Sequence, residues 1–258
     1  MTTLFRFDRL TSGYGGDPVI KDLDGYINEG EITCLIGPNG CGKSTLLKTM
    51  CGLLPYEGTV EFGGRELTNW GRKERAREMS LLPQSPTAPA GLTVRELIAR
   101  GRHPYQSWLT QWSDRDDSVA AEAIHTTGVA GIVDKRLNEL SGGQRQRAWI
   151  AMAIAQDTPT MLLDEPTTFL DLATSVEVLR LVQSLNRTQG RSVVMVLHDL
   201  NLAARFSDRL IMLNRHGTIA ATGTPGEVLH SETLKEVFDL DAVVVDSPVN
   251  NHPLVVPR

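Results

Sequence analysis

A glycine-rich loop at residues 37–44 is the part of the sequence whose residue types and spacing most clearly indicate chemistry. It reads Gly37-Pro38-Asn39-Gly40-Cys41-Gly42-Lys43-Ser44, matches G-x-x-x-x-G-K-[ST], and lies between an apolar run, Ile32–Ile36, and a helical pattern. Glycines let successive backbone N–H groups point at a phosphate, and the helix start adds the positive end of its dipole. Lys43 can then reach the β- and γ-phosphate oxygens, and the Ser44 hydroxyl can ligate Mg²⁺. We predict that residues 37–44, with Thr45, bind a nucleotide; an ordinary glycine-rich turn is the weaker alternative.

Two adjacent carboxylates end a second apolar run. Residues 160–163 are followed by Asp164 and Glu165, and the carboxyl end of a strand lies where α/β sheets bind ligands. We predict that Asp164 holds Mg²⁺ through a water molecule. Glu165 faces the other side, because successive strand residues alternate, and is predicted to be the general base that polarises the attacking water. The alternative is a strand that ends in a solvated acidic turn, and the phosphate-binding loop argues against it.

Composition limits the classes of protein that fit. The chain has 258 residues, is 41% hydrophobic and carries a formal net charge of −5, so we expect no nucleic-acid partner. No run approaches the ~20 apolar residues of a membrane helix, and residues 1–10 are typical of a strand rather than a secretion signal. Cys34, Cys41 and Cys51 have no metal-ligand spacing and are expected to be reduced thiols. We therefore predict a cytosolic protein that reaches a membrane only through a partner.

Strand and helix patterns alternate along most of the chain. Short apolar runs predict strands at Leu4–Leu10, Ile32–Ile36, Val60–Phe62, Met79–Leu82, Met161–Leu163 and Val193–Leu197. Helical patterns are at Ser44–Cys51, Ser118–Thr127, Gly143–Gln156, Thr174–Thr188 and Leu202–Phe206. Alternation of this kind is typical of a three-layer α/β architecture.

Two regions depart from that alternation. From about Thr87 to Asp157 there is no convincing strand, which favours a helical insertion that includes the Gly101–Trp112 segment. Arg209–Asn214 and Thr218–Thr222 predict a hairpin, and the tail from Asp246 is expected to be a peripheral extension. The role of the Gly101–Trp112 segment is open between a partner contact and a subdomain loop.

The segment Leu140–Arg147, LSGGQRQR, resembles the signature motif of ATP-binding-cassette (ABC) ATPases. Other residues match that family in the right order. Tyr14 resembles the aromatic residue that stacks on adenine, and Gln84 the glutamine that reaches Mg²⁺ and the water. Asp171 lies in a loop that resembles the one crossing the dimer interface, and His198 resembles the switch histidine near the γ-phosphate. We therefore assign Glu165, His198 and Gln84 to catalysis, and Ser44, Gln84 and Asp164 to Mg²⁺, as the resemblance implies.

The signature motif implies a second copy of the chain. Ser141, Gly142, Gly143 and Gln144 can present a hydroxyl and backbone amides at a helix start. In the family this group faces the γ-phosphate bound to the other subunit, so two ATP molecules are held in a head-to-tail dimer. The expected cofactors are ATP and Mg²⁺.

The resemblance also implies a fold. It is an α/β P-loop ABC ATPase core, three-layered, with a mainly parallel sheet and an antiparallel β part, plus an inserted α-helical subdomain. The core would be residues 1–86 and 158–258, and the helical subdomain about residues 87–157.

A cassette without membrane helices is similar to an importer subunit that docks on separate permeases at the cytoplasmic face of the membrane. The finer resemblance, at residues 92–97, 100–104, 144–151 and 167–171 and in the tail, is to ferric siderophore import ATPases of the enterobactin type. It implies permease subunits and, through them, a substrate-binding protein. Importers of haem, cobalamin or another metal complex share much of this pattern and stay as alternatives. An alternative of a different class is a soluble ABC ATPase without a role in transport, but this sequence has neither the coiled coil nor the second cassette typical of such proteins. A P-loop kinase is a further alternative, but the signature motif has no function in that class.

One further expectation concerns the loop thiol. Cys41 lies near a helix N-terminus, a setting that favours the thiolate, so we expect a reactive cysteine there.

Overall fold

The computed structural model describes residues 2–107, 112–249 and 252–258. The strands are β1 (Thr3–Ser12), β2 (Ile20–Asn28), β3 (Ile32–Ile36), β4 (Tyr56–Phe62), β5 (Arg65–Glu66), β6 (Met79–Leu82), β7 (Thr160–Asp164), β8 (Ser192–Val196), β9 (Arg209–Leu213), β10 (Ile219–Gly223), β11 (Ala242–Asp246) and β12 (Pro253–Pro257). The α-helices are α1 (Lys43–Met50), α2 (Arg72–Glu78), α3 (Val94–Arg100), α4 (Asp114–Thr127), α5 (Gly142–Ala155), α6 (Leu172–Gln189), α7 (Leu200–Phe206), α8 (Pro225–Val228) and α9 (Ser231–Phe238).

The chain divides into two compact units. The first comprises residues 1–70 and 192–258, and the second comprises residues 71–191. The predicted boundaries of the helical subdomain, about 87–157, stay a prediction.

Parallel strands form the base of the first unit. β3 lies between β8 and β9 and is parallel to both, with Ile32 opposite Val193 and Thr33 opposite Arg209. All five residues of β3 and of β8 are buried, as expected for short apolar runs covered on both faces. β10 pairs antiparallel with β9, so the predicted hairpin is confirmed. The phosphate-binding loop leaves the carboxyl end of β3.

An antiparallel sheet in the order β2-β1-β4-β5 completes this unit. β2 has no counterpart among the predicted elements. Its buried apolar residues, Ile20, Leu23 and Ile27, are spaced by three and four, which is a helical rather than a strand period. The β1–β2 pairing contains register shifts between Phe7 and Leu10 and between Leu10 and Ser12. Bulges of this kind change which face a residue occupies, so the period of two is lost although the chain is extended.

The tail beyond Asp246 is ordered by pairing. β12 is antiparallel to β11, with Val244 opposite Val255. The side chain of Asn201 in α7 binds both backbone groups of Val255, accepting its N–H at 2.7 Å and donating to its carbonyl at 3.2 Å. This expected extension is therefore a hairpin fastened to a helix of the first unit.

The second unit combines a parallel pair of strands with helices. β6 runs beside β7, with Met79 opposite Thr160. Helices α3 and α4 pack on α5, whose residues from Ala148 to Ala155 are mostly buried. α4 begins at Asp114, one turn before the predicted Ser118, because the Ser113 hydroxyl caps the helix by accepting the N–H of Asp116.

A buried ion pair fixes part of the predicted Gly101–Trp112 segment, of which residues 108–111 lie outside the described residues. Arg102 is 1% exposed, and its Nε donates to Asp116 Oδ1 at 2.7 Å. Its Nη1 donates to the carbonyl of Ala155 at 2.8 Å. Burial raises the pKa of Asp116, but hydrogen bonds from Arg102 and Ser113 outweigh it and hold the pKa below its usual value. The segment is thus anchored inside the second unit at Arg102.

Replacing Arg102 by Met is expected to destabilise the protein by about 3–5 kcal/mol, because Asp116 is left buried without its charged partner. The ion pair stabilises the fold above the unfolded-state pKa of about 4 and loses this effect as pH falls through the lowered folded-state pKa. The destabilisation should therefore shrink on acidification. Denaturant unfolding at several pH values measures it. The control is Arg95→Met, whose partner Asp134 is exposed, with an expected cost below about 1 kcal/mol. Equal costs for both variants would contradict the prediction.

Candidate nucleotide-binding site

Backbone geometry explains the glycines of the phosphate-binding loop. Gly37, Gly40 and Gly42 have φ values of 149°, 79° and 103°. A Cβ atom on Gly37 would lie 2.4 Å from the carbonyl oxygen of Leu213, and one on Gly42 would lie 2.5 Å from Cδ1 of Ile20. A side chain at Gly37 would therefore force the backbone to shift, and the φ of Gly42 is one that residues with a Cβ rarely adopt. Gly42 is also the N-cap of α1 and makes no side-chain cap, so the first amides of the helix are left to other acceptors.

Lys43 is folded back over the loop. Its side chain is buried, and Nζ donates to the carbonyl oxygens of Gly37 at 2.8 Å and Pro38 at 2.9 Å. Both acceptors are neutral, so these contacts orient the ammonium group without cancelling its charge. Asn39 and Gly40 at the tip of the loop are exposed. A buried cation beside an open glycine loop suits a polyphosphate anion.

The expectation of a reactive thiolate at Cys41 is wrong. Cys41 is 2% exposed, and burial raises the pKa of its thiol. The charge of Lys43, whose Nζ lies 3.8 Å from Sγ, lowers the pKa but does not compensate. Sequence position showed the nearby helix start and the lysine, but it could not show how completely the loop covers the sulfur atom.

Two other predicted residues lie in the first unit and are exposed. Tyr14 is 59% exposed, and Lys48 of α1 donates to its hydroxyl at 3.2 Å and lies 5.4 Å from its ring centroid. His198 is the second residue after β8 and is exposed. Asp199 then caps α7 by accepting the N–H groups of Asn201 and Leu202. The tyrosine ring is therefore available for stacking, and the histidine stands at the carboxyl end of a parallel strand.

In the second unit, two of the predicted catalytic residues are in contact. Asp164 and Glu165, at the end of β7, are both buried. Gln84, which follows β6, donates from Nε2 to Glu165 Oε2 at 2.6 Å. Thr168 donates from Oγ1 to the same oxygen at 2.7 Å. The Gln84 contact brings together two predicted catalytic residues from separate segments of the chain. Thr168 is not among the predicted site residues.

The turn that carries Glu165 is conformationally unusual. Glu165 and Phe169 have φ values of 53° and 65°, in the left-handed region that non-glycine residues rarely adopt. The N–H of Thr168 donates to the Glu165 carbonyl at 3.2 Å and closes the turn. Strained residues of this kind persist where surrounding contacts determine them, and they concentrate at functional sites.

The signature residues form a helix cap. Ser141 is the N-cap of α5: its hydroxyl accepts the N–H of Gln144 at 3.3 Å, and Gln144 Oε1 accepts the N–H of Ser141 at 3.2 Å. Ser141 and Gly142 are exposed. The Ser141 hydroxyl keeps its own proton for an outside acceptor. An anion can therefore meet a hydroxyl and helix-start amides here.

Asp171 caps the next helix and lies close to the signature. It accepts the N–H of Thr174 at 2.9 Å and the Thr174 hydroxyl at 2.8 Å, and these hydrogen bonds lower the pKa of Asp171. The Thr174 methyl group packs on Gly143, where an added Cβ would lie 2.8 Å away. Thr174 thus joins the start of α6 to the signature helix and requires glycine at position 143. Phe169 and Leu172 on either side of this loop are 90% and 68% exposed.

The predicted Mg²⁺ ligands are one hydroxyl, one carboxylate and one amide. Among the described residues, no group of three or more His, Cys, Asp and Glu side chains could hold a metal ion. Mg²⁺ commonly binds one or two carboxylates together with substrate phosphates and water, rather than a cage made only of protein. Ser44, Gln84 and Asp164 suit that mode of binding.

Comparison with known proteins identifies the family. The chain matches the ABC transporter family over residues 20–168, more than half of its length. It belongs to that family. The prediction that it is an ABC ATPase is therefore confirmed.

Relatives match this ABC protein over nearly its whole length. It is 47% identical to the achromobactin transport ATP-binding protein CbrD of Dickeya dadantii (strain 3937), over 96% of this chain and 92% of the relative. It is 46% identical to the ferric enterobactin transport ATP-binding protein FepC of Escherichia coli (strain K12), over 98% of this chain and 93% of the relative. The dimeric structure of MJ0796, a bacterial ABC transporter cassette, superposes with a TM-score of 0.76 at 28% identity, over 86% of this chain and 98% of that one. The predicted fold class is confirmed.

Proposed function

We propose that this chain is the ATP-hydrolysing subunit of an importer that takes up a ferric siderophore. The observation that carries its chemistry is the phosphate-binding loop, in which glycines with left-handed backbone angles surround the buried ammonium group of Lys43. The cargo is inferred from the transport ATP-binding proteins that align with almost the entire chain. A cassette of this kind does not contact the cargo. Its nucleotide-binding site therefore accounts for ATP hydrolysis and carries no information about which cargo is transported.

The predicted site residues are assigned to the parts of the nucleotide and to its metal ion. Tyr14 stacks on the adenine ring, the backbone N–H groups of the phosphate-binding loop (all but Pro38, which has none) bind the phosphates, and Lys43 donates to the β- and γ-phosphate oxygens. Ser44, Gln84 and Asp164 would hold Mg²⁺, with Asp164 acting through a water molecule. Bound Mg²⁺ supplies positive charge that offsets the negative charge on the phosphate oxygens.

Glu165 is assigned as the general base. Its carboxylate orients a water molecule and accepts its proton as the water oxygen bonds to the γ-phosphorus and the bond to the bridging oxygen of ADP breaks. Gln84 holds the carboxylate by donating to Oε2 at 2.6 Å. His198 is assigned to the γ-phosphate oxygens, toward which an imidazole N–H can donate.

The exposed signature suggests that the site is completed by a second copy of the chain. Ser141 through Gln144 would donate to the γ-phosphate held by the partner copy, and Asp171 would lie at the junction of the two copies. Phe169 and Leu172 are strongly exposed apolar side chains beside Asp171, and burial between two copies would remove them from water. Loss of the γ-phosphate removes these contacts and allows the copies to separate.

The chain needs a membrane partner to act in transport. Among the described residues, none of the helices is both long and apolar enough to cross a bilayer. We propose that it docks at the cytoplasmic face on permease subunits, which a substrate-binding protein supplies with cargo. Haem and cobalamin importers stay as alternative systems of the same class.

Reconstitution tests the cargo. Liposomes that contain the chain with its permease and binding protein are expected to take up radiolabelled ferric enterobactin only with internal MgATP. Haem and cobalamin are the competing probes. Uptake of haem or cobalamin alone would replace the siderophore assignment, and failure of the chain to associate with any permease would favour an ABC ATPase without a transport role.

A further inference from the structure

We propose that Thr168 is a positioning residue that holds the carboxylate of Glu165 in the orientation needed for hydrolysis. The inference rests on the proposed function, because it concerns the base assigned there. Nothing in the motif pattern assigns this role to Thr168; the hydrogen bond from Oγ1 to Glu165 Oε2, at 2.7 Å, does.

The contact matters because two donors share one oxygen. Gln84 Nε2 and Thr168 Oγ1 both donate to Oε2, at 2.6 and 2.7 Å. Hydrogen bonds to an ionised acceptor are short and strong. A glutamate side chain has three rotatable bonds, and a single donor leaves the carboxylate free to swing about that contact. A second donor from a different direction removes this freedom, so Gln84 and Thr168 together define one orientation.

The two donors differ in how they are fixed. Gln84 is an exposed residue just after β6, and its long side chain must lose rotamer freedom to hold the carboxylate. Thr168 belongs to the same turn as Glu165, is β-branched and therefore stiff about χ1, and its N–H already binds the Glu165 carbonyl at 3.2 Å. The hydroxyl is thus presented to the carboxylate by a closed turn. Thr168 is the more rigid support of the pair.

The same turn leads into the loop that caps α6. Phe169, next to Thr168, is 90% exposed, and Asp171 binds Thr174. One hydroxyl therefore links the orientation of the base to a loop assigned to the junction between two copies. A change in the loop that moves Thr168 removes the hydrogen bond from Oγ1 to the carboxylate.

The test compares Thr168→Val with Thr168→Ser in the full-length chain. Val removes the hydroxyl at nearly constant shape, whereas Ser keeps it. We expect Val to lower kcat for ATP hydrolysis about 10-fold to 100-fold, as small misplacements of reacting groups do, with KM and the affinity for a fluorescent ATP analogue within about 2-fold of wild type. Ser is expected to restore kcat to within about 3-fold of wild type. Thr167→Val, the same change one residue earlier, is the matched control and should leave kcat unchanged.

A second readout needs no nucleotide. The side-chain amide signal of Gln84 in ¹⁵N spectra, identified by its loss in Gln84→Ala, should shift in Thr168→Val and not in Thr168→Ser, because the acceptor oxygen is shared. If the Val variant melts well below wild type, Thr168→Ala removes the hydroxyl without adding volume, and the same outcomes are expected. Wild-type kcat in a folded variant without the hydroxyl would overturn the proposal. Absence of ATPase activity in the wild-type chain would instead overturn the proposed function.

Discussion

Replacing Glu165 by Gln is expected to lower ATP turnover by about 100-fold to 10,000-fold, the range over which general acid–base catalysis acts, while an ATP-bound dimer accumulates. The amide has nearly the shape of the carboxylate but cannot accept a proton from water. Nucleotide binding depends on the phosphate-binding loop, which the substitution does not touch. The dimer should therefore form with ATP and fail to separate. Steady-state hydrolysis and size-exclusion chromatography with MgATP measure the two effects.

The matched control for that experiment is Glu177→Gln. Glu177 is an exposed residue of the same unit, and Arg147 lies 3.4 Å from its carboxylate. Its loss should leave turnover and dimerisation unchanged, because an exposed ion pair contributes little. Normal hydrolysis by the Glu165 variant would remove Glu165 from the role of base. Loss of turnover without an accumulated dimer would keep the base and contradict the arrangement in which two copies enclose ATP.

Local motifs predicted the elements around the nucleotide site well. The β3 strand, Ile32–Ile36, has the predicted bounds because a run of four apolar residues and Thr33 fits a strand buried on both faces. α1 begins at Lys43, one residue before the predicted start, because the motif itself contains the helix start. The signature helix α5 likewise begins at Gly142 rather than Gly143, since Ser141 is its cap. Where one short segment determines both the chemistry and the backbone conformation, the sequence alone predicts the bounds of the element to within one residue.

Elements whose pattern depends on distant contacts were missed. Ile20, Leu23 and Ile27 have a helical spacing, and only the bulged pairing of β2 with β1 shows that they share a buried face. The β11–β12 hairpin is held to α7 by Asn201, which lies 54 residues before its partner Val255. Nothing in the sequence around Arg102 predicts that its side chain is buried. Its burial depends on the hydrogen bonds to Asp116 and Ala155. Contacts of this kind are set by tertiary structure rather than by local propensity.

The site residues also divide into those that local motifs predict and those that only tertiary contacts reveal. Gln84 and Glu165 were selected by separate motifs, and their contact at 2.6 Å follows from the neighbouring strands β6 and β7. Thr168 lies in the segment 167–171 that resembles siderophore import ATPases, but its role is not predictable there. A threonine three residues after a carboxylate is common, and the sequence does not give the direction of its side chain. Cys41 shows the opposite error: a helix start and a lysine favour the thiolate, but burial outweighs both.

Replacing Lys43 by Met is expected to weaken ATP binding by about 10-fold to 100-fold, because hydrogen bonds to charged groups contribute ~1.5–3 kcal/mol. Hydrolysis should fall further, since the ammonium group also stabilises charge on the transferred phosphate. Met retains most of the buried aliphatic stem of Lys43. The hydrogen bonds that it loses are those from Nζ to the Gly37 and Pro38 carbonyls and to the Cys41 sulfur, so the fold should persist.

Lys21→Met is the control for charge. Lys21 is an exposed lysine of β2, and its replacement lowers the net charge by the same amount. Titration with a fluorescent ATP analogue and steady-state hydrolysis compare the two variants, with thermal melts to confirm folding. If binding weakens equally in both, the effect is one of net charge and the loop lysine has no special contact with phosphate. If only the Lys43 variant loses affinity while its melting temperature stays close to that of wild type, the ammonium group held by Gly37 and Pro38 is the phosphate-binding group.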